Sequence, residues 1–185
     1  MEELKQLKEK LANERPVEWN EFPDIGLYKD QVLSYMKRQV INFDENNQIT
    51  SAMINNYIKD NLLPRTDGKK YSREHLAGLT EICILKQVLS VRDTGLLMKQ
   101  ELQNSSPREF YTKFKEILDS ELTKTAESIN AELDMGALSD MALRLAVVSY
   151  CNKLASERLI EIIRACEEKK LEKKNEKKTE KKPEK

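Results

Sequence analysis

Residues that usually carry catalysis and cofactor binding are scarce in this chain, which has one His, three Cys and five Gly. With so few glycines it has little material for phosphate-cradling loops, and the common nucleotide-binding and nucleophile-elbow motifs do not occur. His75, Cys83, Cys151 and Cys166 lack the close spacing of a metal site. Pairs of acidic residues, which could serve a carboxylate-based enzyme, are frequent, but solvent-exposed helix faces explain them adequately. We therefore expect no enzyme, no cofactor, no metal and no catalytic residue.

Long apolar runs are also missing, so the sequence predicts no membrane-spanning segment and no membrane partner. The amino terminus is charged from its second residue, unlike a secretion signal. The odd number of cysteines, each within an apolar helical pattern, is typical of reduced thiols packed as small hydrophobic residues. Together these features predict a cytoplasmic protein.

An excess of charge of one sign is absent, since 32 basic residues balance 32 acidic ones. The charge is nevertheless uneven, because residues 167–185 hold nine Lys, six Glu and a single apolar residue, Leu171. This tail carries +3, so the rest of the chain carries −3. We expect the tail to be disordered or a frayed helical extension. A neutral total argues against a nucleic-acid coat protein but permits a DNA reader with one basic face.

Helical periodicity with capping residues dominates the rest of the chain and predicts an all-α class. We expect helices over about 1–14, 28–41, 51–60, 72–89, 90–103, 106–135 and 139–166, with Gly136 ending the sixth. The predicted caps are Thr50 or Ser51, Ser72, Ser90, Ser106 and Ser139. The predicted regions are 1–27 (a helix and an anchored aromatic loop), 28–103, 104–166 and the tail at 167–185.

The stretch from Ile49 to Val91 is the most specific part of the sequence. It predicts a short helix, then a basic hairpin whose Asp67-Gly68 pair suits a tight turn, then a long helix. That order is the core of a winged helix-turn-helix, in which a short helix enters a DNA groove beside a β-hairpin. The full predicted fold is therefore mainly helical with a small two-stranded β-wing and a C-terminal helical dimerisation or effector part.

The residue types of this stretch suit contacts with double-stranded DNA. Asn pairs bidentately with adenine, Ser hydrogen-bonds to several bases, and basic or hydroxyl groups contact phosphates and fix register. The alternative is that the asparagines are ordinary exposed residues and the lysines only keep a turn soluble. The predicted DNA-binding residues are Ser51, Asn55, Asn56, Tyr57, Lys59, Arg65, Lys69 and Lys70.

Three blocks of this stretch resemble the MerR-type regulators of bacteria. Asn56-Tyr57 stands where those regulators have an aromatic pair, Asn61–Pro64 where they have Gly-Leu-Leu-Pro, and Lys69–Ser72 where their basic wing ends. Asn61 replaces the glycine and also tolerates a left-handed backbone. The resemblance implies a 28–103 winged module and a dimer that reads a two-fold operator. The chain lacks the metal-binding cysteine loop of metal-sensing members.

A longer stretch, Trp19 to Val91, resembles an uncharacterised Firmicutes family, DUF1836. The resemblance rests on Phe22–Ile25, on Met53–Tyr57 and on Lys70–His75. It implies a transcriptional regulator, but it brings no ligand and no target sequence.

Residues 141–148, MALRLAVV, are apolar almost all round a helix. Such a helix needs burial on every side. This predicts a homodimer core, with an intramolecular bundle as the alternative.

The predicted function is a sequence-specific transcriptional regulator acting as a dimer on a two-fold symmetric site, with any small-molecule effector left open. The alternative is a non-catalytic protein-interaction module on the same fold.

Overall fold

The computed structural model describes residues 2–41, 48–130, 132 and 134–179, and this part of the chain holds seven α-helices. The helices are α1 (Glu2–Asn13), α2 (Lys29–Met36), α3 (Ser51–Lys59), α4 (Arg73–Leu85), α5 (Val91–Glu101), α6 (Pro107–Ser128) and α7 (Met135–Thr179). A short 3-10 helix, Trp19–Glu21, precedes α2. The predicted all-α class is confirmed. The chain divides into two compact units, Met1–Met141 and Ala142–Lys185.

The predicted two-stranded β-wing is wrong, because the described residues form no β-strand. The hairpin is a tight turn with one antiparallel bridge, Asp67 to Lys70, in which Lys70 N donates to Asp67 O at 3.3 Å. The ladder stops there because Ser72, which would make the next bonds with Arg65, starts α4 instead: its N–H donates to His75 Nδ1 at 3.0 Å and its carbonyl accepts from His75 N and Leu76 N. Tyr71 pairs with Leu27, donating its N–H to Leu27 O and accepting from Leu27 N. On the other arm Pro64 has no N–H to offer.

Most predicted helix starts are confirmed at the level of single hydrogen bonds. The side-chain oxygens of Thr50, Ser90 and Ser106 accept from the backbone N–H three residues on, at 3.3, 3.1 and 3.3 Å. Each bond satisfies an N–H that the helix itself leaves unpaired. Ser72 begins α4 in a capping box whose partner is His75 rather than a Glu or Gln.

The predicted boundary between the last two helices is wrong. The sixth helix was expected to end at Met135, but α6 ends at Ser128. There Ile129 takes an extended backbone and becomes buried, and its carbonyl accepts from Lys8 Nζ at 3.0 Å.

The last helix starts earlier and ends later than predicted. The Asp134 carboxylate accepts from Ala137 N at 2.8 Å, so the helix begins before Gly136 and Ser139 instead of after them. At its other end α7 runs past Cys166 to Thr179, within the tail. None of the helices among the described residues is both long and apolar enough to cross a membrane.

The core of the first unit is built around α4, which packs on α2, α5 and α6, while α1 packs on α6. The predicted anchored aromatic loop is confirmed: Phe22 is buried, and its ring centroid lies 5.0 Å from that of Tyr111. Trp19 contacts both rings, and the Tyr111 hydroxyl donates to Val17 O at 2.7 Å. These contacts tie the segment before α2 to α6.

One close contact in this core gives a stability prediction. A Cβ added at Gly78 on α4 would lie 2.8 Å from Leu63 Cδ2, and Leu63 is buried. Overpacking should cost about 1–3 kcal/mol, and the better helix preference of Ala offsets about 1 kcal/mol of that cost, so we expect Gly78→Ala to destabilise the protein by up to about 2 kcal/mol. Urea denaturation measures the free energy of unfolding.

The matched control is the same substitution in a Leu63→Ala background, where the colliding methyl is gone. There Gly78→Ala is expected to be neutral or stabilising. An equal cost in both backgrounds would mean that the contact with Leu63 is not the cause.

Candidate nucleic-acid interface

Helix α3 presents one polar face to solvent. Asn55, Asn56 and Lys59 are exposed, and Ser51 is half-buried at the first helical position. These four residues fall on one side of the helix. Ser51 and Asn55 are four residues apart, Asn56 and Lys59 are three apart, and both spacings bring side chains to the same face. Ile54 and Tyr57 lie on the opposite side and are buried. The helix is therefore held by its apolar side and offers amide and amine groups outward.

Tyr57 does not belong to this face, although the sequence placed it among the DNA-binding residues. Its side chain is 4% exposed and packs in the core cluster with Ile54 and Cys83. Burial raises the pKa of its phenol above the usual value. We leave Tyr57 out of the candidate surface and assign it to packing.

The end of α3 sets the direction of the chain toward the turn. Asn61 has a left-handed backbone with φ of 58°, as expected from its place in the sequence. Leu62 N donates to Tyr57 O at 2.8 Å and Asn61 N donates to Ile58 O at 3.2 Å, the two bonds of a Schellman motif. Leu63 then enters the core at 3% exposure.

The turn that follows carries the predicted phosphate-binding residues on its surface. Gly68 has φ of +61° at the first central position of the turn, as in a type II′ turn, and no atom lies close to where its Cβ would be. Arg65, Lys69 and Lys70 are all exposed. The turn holds three cations outward on a short, geometrically defined loop.

A groove with a volume of about 530 Å³ joins this turn to α3 and to the start of α2. Its lining residues are Tyr28, Lys29, Asp30, Asn55, Ile58, Thr66, Gly68, Lys69 and Tyr71. Within it, Lys29 Nζ donates to Asn55 Oδ1 at 2.6 Å. Of the predicted site residues, the groove brings together Asn55 and Lys69; Ser51, Asn56, Lys59, Arg65 and Lys70 lie outside its lining.

Lys29 is the functional candidate that the sequence reasoning missed. It lies 26 positions before Asn55, at the first residue of α2, and no local motif connects the two. The only feature of the sequence that pointed to Lys29 was a basic residue at the predicted start of a helix. Its place in the groove depends on the tertiary fold.

The position of Lys70 depends on a glycine. A Cβ at Gly26 would lie 2.9 Å from Lys70 Cβ, so the absence of a side chain there lets the Lys70 stem cross the chain. The Lys70 ammonium then lies 5.8 Å from the centroid of the Tyr28 ring. That distance is within the range of a cation–π interaction.

The charges of this region are mixed, with cations in excess. Lys29, Lys59, Arg65, Lys69 and Lys70 lie on or beside the groove, and the acidic residues of the same segments are Asp30, Asp60 and Asp67. Cationic side chains next to exposed amides are the combination that contacts phosphates and base edges. Lys29 and the turn therefore add positive charge beside Asn55 and Asn56 on α3. We call this surface the amide–lysine face: Asn55, Asn56, Lys59, Arg65, Lys69, Lys70 and Lys29.

A second cavity, of about 280 Å³, lies between the Leu62–Pro64 segment and helices α4 and α5, and a buried acid lines it. It is lined by Leu62, Leu63, Pro64, Glu74, Ala77, Gly78, Glu81, Met98, Leu102, Ser105 and Pro107. Glu81 is 3% exposed, and its Oε1 is buried without a hydrogen-bond partner. Desolvation raises the pKa of this carboxyl well above its ordinary value.

The architecture defines an all-α protein whose first unit surrounds one central helix and carries the amide–lysine face. A family model for a domain of unknown function, DUF1836, matches residues 17–117, more than half of the chain. The chain therefore belongs to the DUF1836 family, as its resemblance indicated. The match covers α2 to α5 and the first half of α6, including the whole amide–lysine face.

The comparisons give no support to the MerR-type resemblance. The comparison with curated proteins and the comparison with solved structures returned no significant match. Membership of DUF1836 brings no activity with it, so function has to be argued from the surface.

The buried acid in the second cavity gives a pH prediction. Because the pKa of Glu81 is raised by folding, the folded state binds its proton more tightly than the unfolded chain does. The free energy of unfolding should therefore fall as pH rises from about 4.5, the ordinary value, through the folded pKa. We expect Glu81→Gln to flatten this fall, as measured by urea denaturation across pH.

The matched control is Glu116→Gln, an exposed glutamate on α6 that lies outside this cavity, which should leave the slope unchanged. Equal slopes for the parent chain and Glu81→Gln would contradict the assignment of the pH dependence to Glu81.

Proposed function

We propose that this protein is a sequence-specific transcriptional regulator that binds double-stranded DNA through the amide–lysine face. The β-wing has no part in the proposal; a short turn takes its place beside the reading helix. The observation that carries it is the groove in which the turn and the start of α2 flank α3, with Lys29 bonded to Asn55 at 2.6 Å.

The dimensions and chemistry of α3 suit the major groove. Helix α3 has nine residues, and the major groove, about 12 Å wide, admits a helix whose diameter with side chains is about 10–12 Å. Asn55 and Asn56 are adjacent and exposed near the middle of that helix. Each has the donor and acceptor pair that recognises adenine.

The bond from Lys29 orients Asn55 without blocking it. An amide oxygen has two lone pairs, so Asn55 Oδ1 accepts from Lys29 and still has capacity for a base amino group. Its NH₂ group remains a donor. Holding a recognition side chain in one rotamer before binding reduces the entropy lost on association.

The turn supplies the phosphate contacts in this proposal. Arg65, Lys69 and Lys70 project from a loop beside α3, where the DNA backbone would run if α3 occupied the groove. Contacts of this kind set orientation and make affinity depend on salt.

The alternative function is a non-catalytic protein-interaction module. Two observations favour it: residues 1–166 carry a net charge of −3, and a mainly apolar groove of about 390 Å³ lies along α4, α5 and α6. Ile117 in that groove is 56% exposed. An interaction module of this kind binds DNA neither specifically nor with a steep salt dependence.

The test is selection from a pool of random duplexes at two salt concentrations, followed by sequencing and titration of the recovered site. A recovered motif supports the regulator. Asn55→Ala with Asn56→Ala should then remove discrimination at the contacted positions, at about 1–3 kcal/mol for each lost pair.

Lys69→Ala with Lys70→Ala should weaken binding to all sequences and lower the slope of affinity against salt by about one for each lysine.

The matched control is Lys5→Ala with Lys124→Ala, two exposed lysines on α1 and α6 that lie outside the groove. It should leave both affinity and specificity unchanged. Absence of any enriched motif, or a control that weakens binding as much as the turn variant, rejects the proposed reading surface and favours the interaction module.

A further inference from the structure

A heptad pattern runs along the part of α7 that belongs to the second unit. Seven positions alternate in spacing between three and four residues, which is the period of a coiled-coil seam. We call them the α7 seam: Leu145, Val148, Asn152, Ala155, Leu159, Ile162 and Cys166. With Leu145 at an a position, Asn152, Leu159 and Cys166 also fall at a, and Val148, Ala155 and Ile162 fall at d.

Every residue of the α7 seam is exposed. Leu145, Val148, Leu159 and Ile162 are 38%, 48%, 61% and 50% exposed. Monomeric proteins rarely leave a continuous stripe of large apolar side chains in water. The seam spans 22 residues, or about 33 Å, slightly more than the three heptads that identify a coiled coil.

Asn152 indicates what covers the seam. It is the one amide among apolar positions, and burial against an apolar partner would leave it without a hydrogen bond, which is costly. In a parallel pair of identical helices, Asn152 meets Asn152 of the second copy and the two amides bond. In an antiparallel pairing, Asn152 faces Leu159 where the whole seam overlaps, or Ala155 where Leu145 lies opposite Ile162, and it remains unpaired in both.

We propose that the α7 seam binds a second copy of this chain as a parallel two-stranded coiled coil, with Asn152 of one copy paired to Asn152 of the other at the third of its seven positions. A single polar a position is a known device for fixing register and strand number at some cost in stability. This inference does not depend on the proposed DNA binding.

The size of the contact predicts a dimer that dissociates on dilution. A coiled coil buries four of seven positions, so the 22-residue seam contributes about 13 residues from each copy. A standard stable interface has about 20–30 residues on each side. The central Asn152 and Ala155 also contribute little apolar area, so association should depend on concentration.

A second apolar stripe on α7 is the competing face. It contains Leu143, Val147, Tyr150 and Leu154, all exposed. It is shorter, because the next two positions at the same spacing are Glu157 and Glu161, which form ion pairs with Lys153 and Arg158. We assign the contact to the α7 seam because its apolar positions continue for twice as many turns.

Sedimentation velocity of the full chain over a range of concentrations tests association. We expect a shift from monomer to dimer with rising concentration, and at least a tenfold weaker association for Leu159→Lys. The matched control is Leu154→Lys, the same substitution at a residue of similar exposure on the competing stripe (56% against 61%). A monomer at every concentration overturns the proposal, and so does dissociation by Leu154→Lys alone.

Crosslinking tests the orientation without a substitution in the seam, because Cys166 already stands at its last position. Cys166 is exposed and free, Cys83 is buried, and Cys151→Ser removes the other exposed thiol. A short bis-maleimide should link Cys166 to Cys166 in a parallel dimer. An antiparallel dimer puts these thiols at opposite ends of the contact, more than about 30 Å apart. Dimers that yield no crosslink overturn the parallel arrangement.

Discussion

Two hydrogen bonds between Leu27 and Tyr71 hold the candidate surface together. Leu27 N donates to Tyr71 O at 2.9 Å, and Tyr71 N donates to Leu27 O at 2.8 Å. They fix the start of α2 against the end of the turn, which places Lys29 beside Asn55 and Lys70 beside Tyr28. Both residues are buried, so water competes little for these bonds. Gly26 makes the approach possible, because a side chain there would collide with Lys70.

Local features of the fold could be predicted from the sequence. The starts of the helices at Thr50, Ser90 and Ser106 each depend on one side chain that bonds to a backbone N–H three residues on. The left-handed Asn61 and the turn at Asp67-Gly68 likewise depend on the backbone preferences of one or two residues. Such signals lie within a few positions of the structure they determine.

Features that depend on distant residues could not be predicted in this way. Tyr71, at the end of the predicted wing, pairs with Leu27, 44 positions earlier, and no pattern within the hairpin reveals that pairing. Tyr57 was assigned to the surface because an aromatic hydroxyl suits both a phosphate and a core, and only packing decides between them. Gly136 was expected to end a helix, but the Asp134 carboxylate makes it the second residue of the next one.

The two proposals rest on different physical properties and on different parts of the chain. The proposed role of the amide–lysine face depends on its hydrogen-bonding groups and its charge, which suit a polar ligand. The α7 seam depends on the period of apolar side chains along a single helix, with one amide that specifies the partner. The Leu145–Cys166 seam lies outside the residues matched by the DUF1836 model, whereas the amide–lysine face lies within them.

The Leu27–Tyr71 pairing also bears on how the molecule folds. Contacts between residues far apart in sequence form only after a long loop has closed, which slows folding and makes such regions depend on the whole domain. The α3 helix and the turn are local and can form early, while the groove between them and α2 waits for loop closure. A fragment that begins at α3 would keep every residue predicted from the sequence as a DNA contact, yet it would lack Lys29 and the bonds that create the groove. The smallest autonomous unit of this surface therefore has to include the segment before α2.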